Sequence, residues 1–220
     1  MKALPLLLQQ IQKTKEYRLS SKREATNRLA NTPSLFGEIR QPKTDYIIIP
    51  NLSSGLRKYI PIGFKESDVI ASNLALIIPN AELFHFGVLT SNIHMIWIRY
   101  TCGMLGTSLR YSNKLVYNNF PWPENPTDKQ KETVEKAAQA VLDARAQFPD
   151  SSLADLYDPN TMPPVLVKAH QALDRAVDLC YRSQPFTSEA KRIEFLFELY
   201  DKYTAGLFVK EKKAGKKAEQ

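Results

Sequence analysis

Residues 105–123 read LGTSLRYSNKLVYNNFPWP, a polar loop that ends in two prolines and two large aromatic residues. Pro121 and Pro123 fix their backbone φ angles and lack N–H donors, so this end of the segment is predicted to be extended and to lie outside the centre of any sheet. Phe120 and Trp122 then have to pack against an apolar surface. We interpret the segment as a strap that docks one layer onto another and marks the end of a domain.

The polar part of the same stretch contains side chains suited to nucleic acid. Arg110 has a planar guanidinium that can form two parallel hydrogen bonds with a guanine edge. Short or flexible donors for phosphates and bases lie beside it: Ser108, Ser112, Asn113 and Lys114. The alternative is an ordinary solvated loop that leads into a strand, and composition alone favours that alternative.

Positive charge is concentrated before residue 124. Residues 1–123 hold 15 Lys and Arg against 7 Asp and Glu, whereas residues 124–220 hold 15 against 16, so the net charges are +8 and −1. A basic domain implies a polyanionic partner, most simply nucleic acid, with a membrane surface as the weaker alternative. No stretch approaches the roughly 18 to 20 apolar residues that span a bilayer, and KALPLLLQQIQ is too polar for a secretory signal, so a cytoplasmic location is expected.

Upstream of the strap, the pattern changes once. Residues 1–33 predict a basic helical connector in which Lys22 and Arg23 are candidates for phosphate contacts, although a run of charge is more often a solvated helix face. Residues 34–123 contain the β-branched runs TDYIIIPNL, RKYIPIGF and DVIASNLALIIPN, which predict strands of a mixed or antiparallel sheet. A further strand is predicted at ELFHFGVL, followed by a helix capped by Thr90 or Ser91 with Ile93, Trp97 and Tyr100 on one face.

Two short polar joins connect the predicted strands, NLSSGLRK at 51–58 and ASNLA at 71–75. Loops held on a rigid sheet often carry recognition residues, although each residue taken alone is more readily explained by structure. The joins supply the candidates Ser53, Ser54, Arg57, Lys58, Ser72 and Asn73.

Residues 124–206 predict a helical C-terminal domain, which makes the whole chain α+β. One helix is capped by Thr127, a second begins at Val165, and a third spans SEAKRIEFLFELYDKYT. Acidic side chains on these helices are interpreted as a solvated face rather than a metal or catalytic site: Asp174, Asp178 and Glu194. Residues 207–220 are basic and of low complexity, and are expected to be disordered.

Catalytic and cofactor motifs are missing from the sequence. The eight glycines form no GxGxxG and no P-loop, and there is no GxSxG, HExxH or PD-(D/E)xK pattern. NFPW at 119–122 differs in order and spacing from the Asn-Pro-Pro-Tyr/Phe motif of adenine-type amino methyltransferases. Cys102 and Cys180 are predicted to be reduced core residues and His94 to be a packed histidine, so whether this chain alone is an enzyme is left open.

Six segments together resemble one family: FGEIRQPKTDYIIIP, SSGLRKYIPIGF, FHFGVLTSNIHMIWIRYTCG, RYSNKLVYNNFPWP, LDARAQFPDSSLADLYDPNTMPPVLVKAHQALDRAVD and FLFELYDKYT. Over roughly residues 30–205 the chain resembles the C-terminal third of the MmeI-like adenine-specific DNA methyltransferases. The resemblance implies a target recognition domain followed by a helical C-terminal domain. It further implies two partners, double-stranded DNA and an upstream methyltransferase domain of the same polypeptide. That upstream domain, and not this chain, would bind S-adenosylmethionine, and in many family members an endonuclease precedes it.

Family members select base pairs with loop side chains that correspond here to residues 53–57, 73–76 and 108–110, which adds Ala75 to the candidates. Gly55 and MLGT at 104–107 depart from the family pattern, so a different recognised sequence is expected. Tyr111, Ser112 and NNFPWP fit the pattern closely, which favours a scaffold role for them. Three classes of function stay open: a sequence-reading module of a methyltransferase, a non-specific nucleic-acid binder, and a structural interaction domain.

Overall fold

The computed structural model describes the backbone of residues 4–215 and the side chains of residues 4–205. The chain divides into two compact units, Met1–Gln41 and Pro42–Gln220. The first unit is helical, with α1 at Pro5–Leu19, α2 at Glu24–Arg28 and a 3₁₀ turn at Leu29–Asn31.

A single side chain organises this first unit. The guanidinium of Arg18, in the last turn of α1, donates hydrogen bonds to the backbone carbonyls of Leu29 at 2.8 Å, Thr32 at 2.9 Å and Leu35 at 2.8 Å. These three carbonyls follow α2, so Arg18 fixes the turn after α2 against α1. One of the basic residues of the predicted connector is therefore structural.

The second unit begins with a three-stranded antiparallel sheet in the order β3–β1–β4. Its strands are β1 at Tyr46–Pro50, β3 at Gly63–Lys65 and β4 at Ala75–Pro79. In β1, the β-branched side chains of Ile47 and Ile49 are fully buried. This central strand carries the apolar run that predicted it.

A second antiparallel sheet has the order β2–β6–β5. Its strands are β2 at Leu52–Ser54, β5 at Gly103–Leu105 and β6 at Ser108–Arg110. β5 and β6 form a hairpin joined by two residues, and Gly106 adopts a φ of +59° there, a conformation that glycine takes without strain. The sequence predicted either a mixed or an antiparallel sheet, and both sheets in the described residues are antiparallel.

The segment ELFHFGVL is a helix, so the predicted strand is wrong. α3 spans Leu83–Leu89, and the backbone N–H of Glu82 donates to Nδ1 of His85 at its start. Gly87 lies so close to the C-terminal helices that an added Cβ would be 2.7 Å from Cγ1 of Val134. Residues 86–89 are buried, and an apolar run buried on all sides has no period that separates a strand from a helix.

The helix predicted after Thr90 is confirmed as α4, Asn92–Thr101, with Ser91 at its N-cap position. Ile93 and Trp97 are buried as expected, but Tyr100 is 62% exposed. Residues 92–98 are enclosed by the core, whereas the last turn of α4 extends beyond it. The predicted apolar face is therefore wrong in its last residue.

Four helices complete the second unit: α5 at Asp128–Ala146, α6 at Leu153–Leu156, α7 at Pro164–Tyr181 and α8 at Glu189–Gly215. The predicted cap of α5 is confirmed, since Oγ1 of Thr127 accepts from the Gln130 N–H at 3.3 Å. α8 continues past residue 207, where the disordered tail was predicted to begin, and residues 216–220 lie outside the described residues. No helix in residues 4–215 combines the length and the apolarity needed to cross a membrane.

Buried polar groups join the first sheet to these helices. Arg145 of α5 donates to the carbonyl of Ile62 at 2.7 Å and, from Nε, to the hydroxyl of Tyr157 at 2.8 Å. The same hydroxyl lies 2.6 Å from Nε2 of His170, and burial lowers the pKa of that imidazole to about 3. Since the sheets and the C-terminal helices also share one hydrophobic core, residues 42–205 fold around a common centre.

The strap packs as predicted. Phe120 is buried, with its ring centroid 4.6 Å from that of His94. Trp122 is half-buried, and the carbonyls of Pro121 and Trp122 accept hydrogen bonds from the hydroxyls of Tyr181 at 2.9 Å and Tyr203 at 3.0 Å. The strap therefore ties the sheet-bearing part of the chain to α7 and α8.

The solvated face predicted for α7 is wrong at two of its acids. The Asp174 carboxylate accepts from the Tyr59 hydroxyl at 2.6 Å and from the Asn92 N–H at 2.7 Å. Asp178 is buried and pairs with Arg192 at 2.6 Å. Their partners lie up to 115 residues away along the chain, so no local pattern reveals them. Glu194 is exposed and pairs with Lys191, as expected for a surface acid.

Candidate nucleic-acid interface

The strand register of the β2–β6–β5 sheet decides which side chains reach solvent. Residues directly opposite each other in an antiparallel sheet share a face, and successive residues alternate between faces. One cross-strand row consists of Ser53, Leu109 and Met104. Ser53 and Leu109 are each 3% exposed, so in β2 and β6 this row belongs to the inner face, whereas Met104 in the edge strand β5 is 61% exposed.

The opposite face of this sheet, which we call the outward face, therefore consists of the two other cross-strand rows. The first row is Leu52, Arg110 and Gly103, and the second is Ser54, Ser108 and Leu105. Both mix polar, apolar and very small side chains. This composition suits a surface that meets base edges, where hydrogen-bonding and apolar groups alternate.

Arg110 is the cation of the outward face. It lies in the central strand β6 and is exposed. Within residues 4–205 its guanidinium forms no hydrogen bond and no ion pair. The guanidinium of Arg145, by contrast, donates hydrogen bonds to Tyr157 and Ile62. The donors of Arg110 are therefore available to a ligand.

The loop after β2 is tied to the turn between β5 and β6. The Gly55 N–H donates to the Thr107 carbonyl at 3.1 Å, and a Cβ at residue 55 would be 3.0 Å from that oxygen. Glycine thus permits the close approach of the two loops. Oγ of Ser54 accepts from the Leu56 N–H at 3.3 Å, which also shapes this loop.

The two basic residues that follow behave differently. Arg57 is partly buried and donates to the carbonyl of Ala154 in α6 at 3.3 Å. Its own carbonyl accepts from Arg99 at 3.2 Å. Lys58 is exposed, and its ammonium lies 6.0 Å from the ring centroid of Tyr59. Lys58 therefore presents its charge to solvent, whereas Arg57 mainly holds the loop on α6.

Asn51 connects the second candidate loop to the outward face, and sequence reasoning missed it. Its backbone N–H donates to the Leu74 carbonyl at 3.0 Å, its carbonyl accepts from the Tyr111 N–H at 2.9 Å, and its side-chain amide donates to the Asn73 carbonyl at 3.3 Å. An asparagine directly after a proline that ends a strand was the available signal. This residue places the loop at 71–75 beside the junction of β1 and β2.

In that loop, Asn73 is exposed, while Oγ of Ser72 accepts from the Leu74 N–H at 3.0 Å. Ala75 is the first residue of β4 and pairs with Pro50. Asn73 is thus the candidate of this loop whose side chain meets solvent with an amide that can donate and accept.

Beyond β6, the chain forms one turn of π-helix at Asn113–Tyr117. Ser112 caps it, since its Oγ accepts from the Leu115 N–H at 3.4 Å. Lys114 is exposed on the turn, and Asn119 donates to the Lys114 carbonyl at 2.9 Å. Ser112 is therefore occupied as a cap, and Lys114 is the cation that this segment offers.

A buried histidine contacts Tyr111, the residue that directly follows β6. Nδ1 of His94 lies 2.8 Å from the Leu89 carbonyl, and its Nε2 lies 3.2 Å from the Tyr111 hydroxyl. Burial lowers the pKa of His94 to about 4, so the ring is neutral and packed, as predicted. The described part of the chain holds no group of three or more His, Cys, Asp or Glu suited to a metal ion.

Lys22 and Arg23 belong to the other compact unit. Both are exposed, and Arg23 occupies the N-cap position of α2. Exposed basic residues at the start of a short helix are compatible with phosphate contacts, which carry no sequence information.

Comparison with known proteins covers nearly the whole chain. The family model of the MmeI target recognition domain matches residues 1–124, and that of the MmeI C-terminal domain matches residues 126–208. The chain is 40% identical over 203 residues to DNA methyltransferase A of Bacillus subtilis (strain 168), a match that covers 92% of this chain and 23% of that protein.

A solved structure is also similar, that of the type IIL restriction-modification enzyme MmeI in complex with DNA. It matches with a TM-score of 0.85 and 49% identity, over 91% of this chain and 27% of the other. The chain thus spans about a quarter of the length of these relatives. The chain belongs to the family of MmeI target recognition domains, here followed by an MmeI C-terminal domain.

Proposed function

We propose that this chain is the sequence-recognition module of a restriction-modification adenine-N6 DNA methyltransferase and that it binds double-stranded DNA. The observation that carries the proposal is the outward face, on which Arg110 presents a guanidinium without a partner in residues 4–205. A DNA complex of a relative 49% identical to this chain supports the same assignment.

The outward face is suited to the major groove, which admits a β-ribbon and displays a distinct pattern for each base pair. Arg110 donates two hydrogen bonds to O6 and N7 of a guanine. Ser54 and Ser108 lie in the neighbouring row and can donate or accept at adjacent base edges. Ser53 is withdrawn from the candidates for base contact, because its side chain lies on the inner face.

The remaining exposed candidates offer different groups to DNA. Asn73 offers an amide suited to adenine or to the DNA backbone, whereas Lys58 and Lys114 offer ammonium groups suited to phosphates. Lys22 and Arg23 contribute phosphate contacts from the other unit. Phosphate contacts fix the register of the protein on the duplex, and base contacts select the sequence.

An upstream methyltransferase domain of the same polypeptide is the second proposed partner, since both relatives are more than three times as long as this chain. Recognition at a fixed register places the target adenine at that domain. S-adenosylmethionine does not fit the described residues, because neither antiparallel sheet leads through a glycine-rich turn into a helix. Since DNA is the proposed ligand, the cytoplasm is the proposed location.

Selection of duplexes from a random library by the purified chain tests the proposal. The enriched duplex and a scrambled duplex are then compared in gel shifts at about 50 mM and about 200 mM salt. At the higher salt concentration, we expect the enriched duplex to bind at least about 100-fold more tightly than the scrambled duplex. Equal, salt-sensitive binding of both duplexes would indicate a non-specific binder, and no binding of either would indicate a structural domain.

A further inference from the structure

Leu52 has an unusual position for an exposed leucine. It lies on the outward face directly opposite Arg110 and is 43% exposed. A single exposed leucine normally needs no explanation. Here the strand register places its Cβ about 4.5 to 5.5 Å from the Cβ of Arg110, the spacing of directly opposite residues.

The geometry of DNA limits what Leu52 can meet. O6 and N7 of guanine are accessible together only in the major groove, so Arg110 can read guanine only when its neighbours on the outward face also enter that groove. Base pairs stack at about 3.4 Å along each strand. When the direction from β6 to β2 runs along the duplex, a side chain whose Cβ lies about 5 Å from that of Arg110 faces the adjoining base pair. The apolar group on base edges in the major groove is the C5 methyl of thymine.

The other side of Arg110 is different. Gly103 lies opposite Arg110 on the β5 side, and a Cβ added there would meet no described heavy atom within 4 Å. The fold thus does not require glycine at this position, and the flank of Arg110 towards β5 is open. The apolar contact is available on the β2 side alone within this row.

We propose that Leu52 is a specificity-determining residue that contacts the C5 methyl of a thymine in the base pair next to the guanine read by Arg110. This inference rests on the proposed function. It adds a recognised chemical group, and it predicts that the selected duplex contains a thymine adjacent to that guanine.

The test replaces each thymine of the selected duplex, one at a time, by uracil, which removes only the methyl group. For the unaltered chain, we expect one replacement, next to the guanine, to weaken binding about three- to fivefold, the effect of losing one buried methyl group. In Leu52→Ala, the ratio of thymine to uracil affinity at that position is expected to fall to one. Leu179→Ala alters another leucine, exposed on α7, and is expected to leave the ratio unchanged.

The possible outcomes separate this inference from the proposed function. If a sequence is selected but no uracil replacement weakens binding, the thymine contact is refuted while the recognition function stands. An unchanged thymine preference in a folded Leu52→Ala variant would also refute the thymine contact by Leu52. The uracil series on the unaltered chain tests the contact even if that variant does not fold. If no sequence is selected, the proposed function fails, and the inference fails with it.

Discussion

Replacing Asp174 by asparagine is expected to stabilise the chain, relative to the wild type, more near pH 7 than near pH 4. Burial, together with the nearby charge of Asp178, raises the pKa of the Asp174 carboxyl to about 6, despite hydrogen bonds from Tyr59 and Asn92 and the proximity of Arg192. Between pH 3.8 and about pH 6, the folded state therefore holds a proton that the unfolded state, with an ordinary pKa of 3.8, has already released. Stability contributed by this proton is fully present below pH 3.8 and is lost as the pH rises through 6.

The size of the effect follows from the pKa difference. The rise of the pKa from 3.8 to about 6 corresponds to about 3 kcal/mol, of which about 2 kcal/mol is lost between pH 4 and pH 7. Asparagine does not titrate, and its amide can still accept from the Asn92 N–H and donate to the Tyr59 hydroxyl. The free energy of unfolding of the variant minus that of the wild type is therefore expected to increase by about 2 kcal/mol over this range.

Urea unfolding followed by tryptophan fluorescence, at intervals of half a pH unit, measures this difference. Subtraction of the wild-type curve removes the contributions of His94 and His170, whose lowered pKa values act in the opposite direction in the same pH range. Asp201→Asn, which changes an exposed acid on α8, is the matched control. A flat difference for Asp174→Asn would refute the argument from burial, and a decrease would show that the hydrogen bonds from Tyr59 and Asn92 outweigh burial.

Four other perturbations have distinct expected results. His94→Gln is expected to reduce the loss of stability on acidification between pH 6.5 and pH 4, by about 3 kcal/mol in total, because the neutral buried ring resists protonation; acid unfolding followed by circular dichroism measures this. Arg110→Ala is expected to relax preference at one base pair, at a cost of roughly 1 to 3 kcal/mol on the selected duplex, and to change binding to random DNA little in gel shifts; an equal loss on both duplexes would make Arg110 a phosphate contact. Neutralising Lys22 and Arg23 is expected to weaken all duplexes alike and to flatten the salt dependence by about one unit per lost phosphate contact in a salt titration. Trp122→Ala is expected to cost roughly 3 kcal/mol in thermal unfolding without altering sequence preference; unchanged stability with lost binding would contradict a packing role.

Local signals explain what could be predicted of the fold. The cap at Thr127 lies next to the helix that it begins, and the β-branched run in β1 is itself the buried strand. The helix at Leu83–Leu89 and the burial of Asp174 depend on partners far along the chain. Such tertiary partners leave no local pattern, so the sequence favoured a strand in the first case and a solvated acid in the second.

For the candidate site, the sequence indicates residue types but not the orientation of their side chains. Arg110 was identified because its guanidinium suits guanine, and it is indeed exposed. Ser53 and Leu52 are neighbours in β2, yet only Leu52 belongs to the outward face. Because side chains alternate along a strand, a shift of one residue in register exchanges the two faces. Only the pairing of β2 with β6 resolves the choice.

The close approach of Gly55 to Thr107 means that neither loop can change its backbone independently of the other. A larger residue at position 55 places its Cβ 3.0 Å from the Thr107 carbonyl, so the turn at 106–107 has to move with it. Relatives with a bulkier residue here are therefore expected to show compensating changes in this turn, about 50 residues downstream. A chimera that exchanges one loop alone inherits the mismatch, whereas one that transplants both loops preserves the pairing on which the outward face is built.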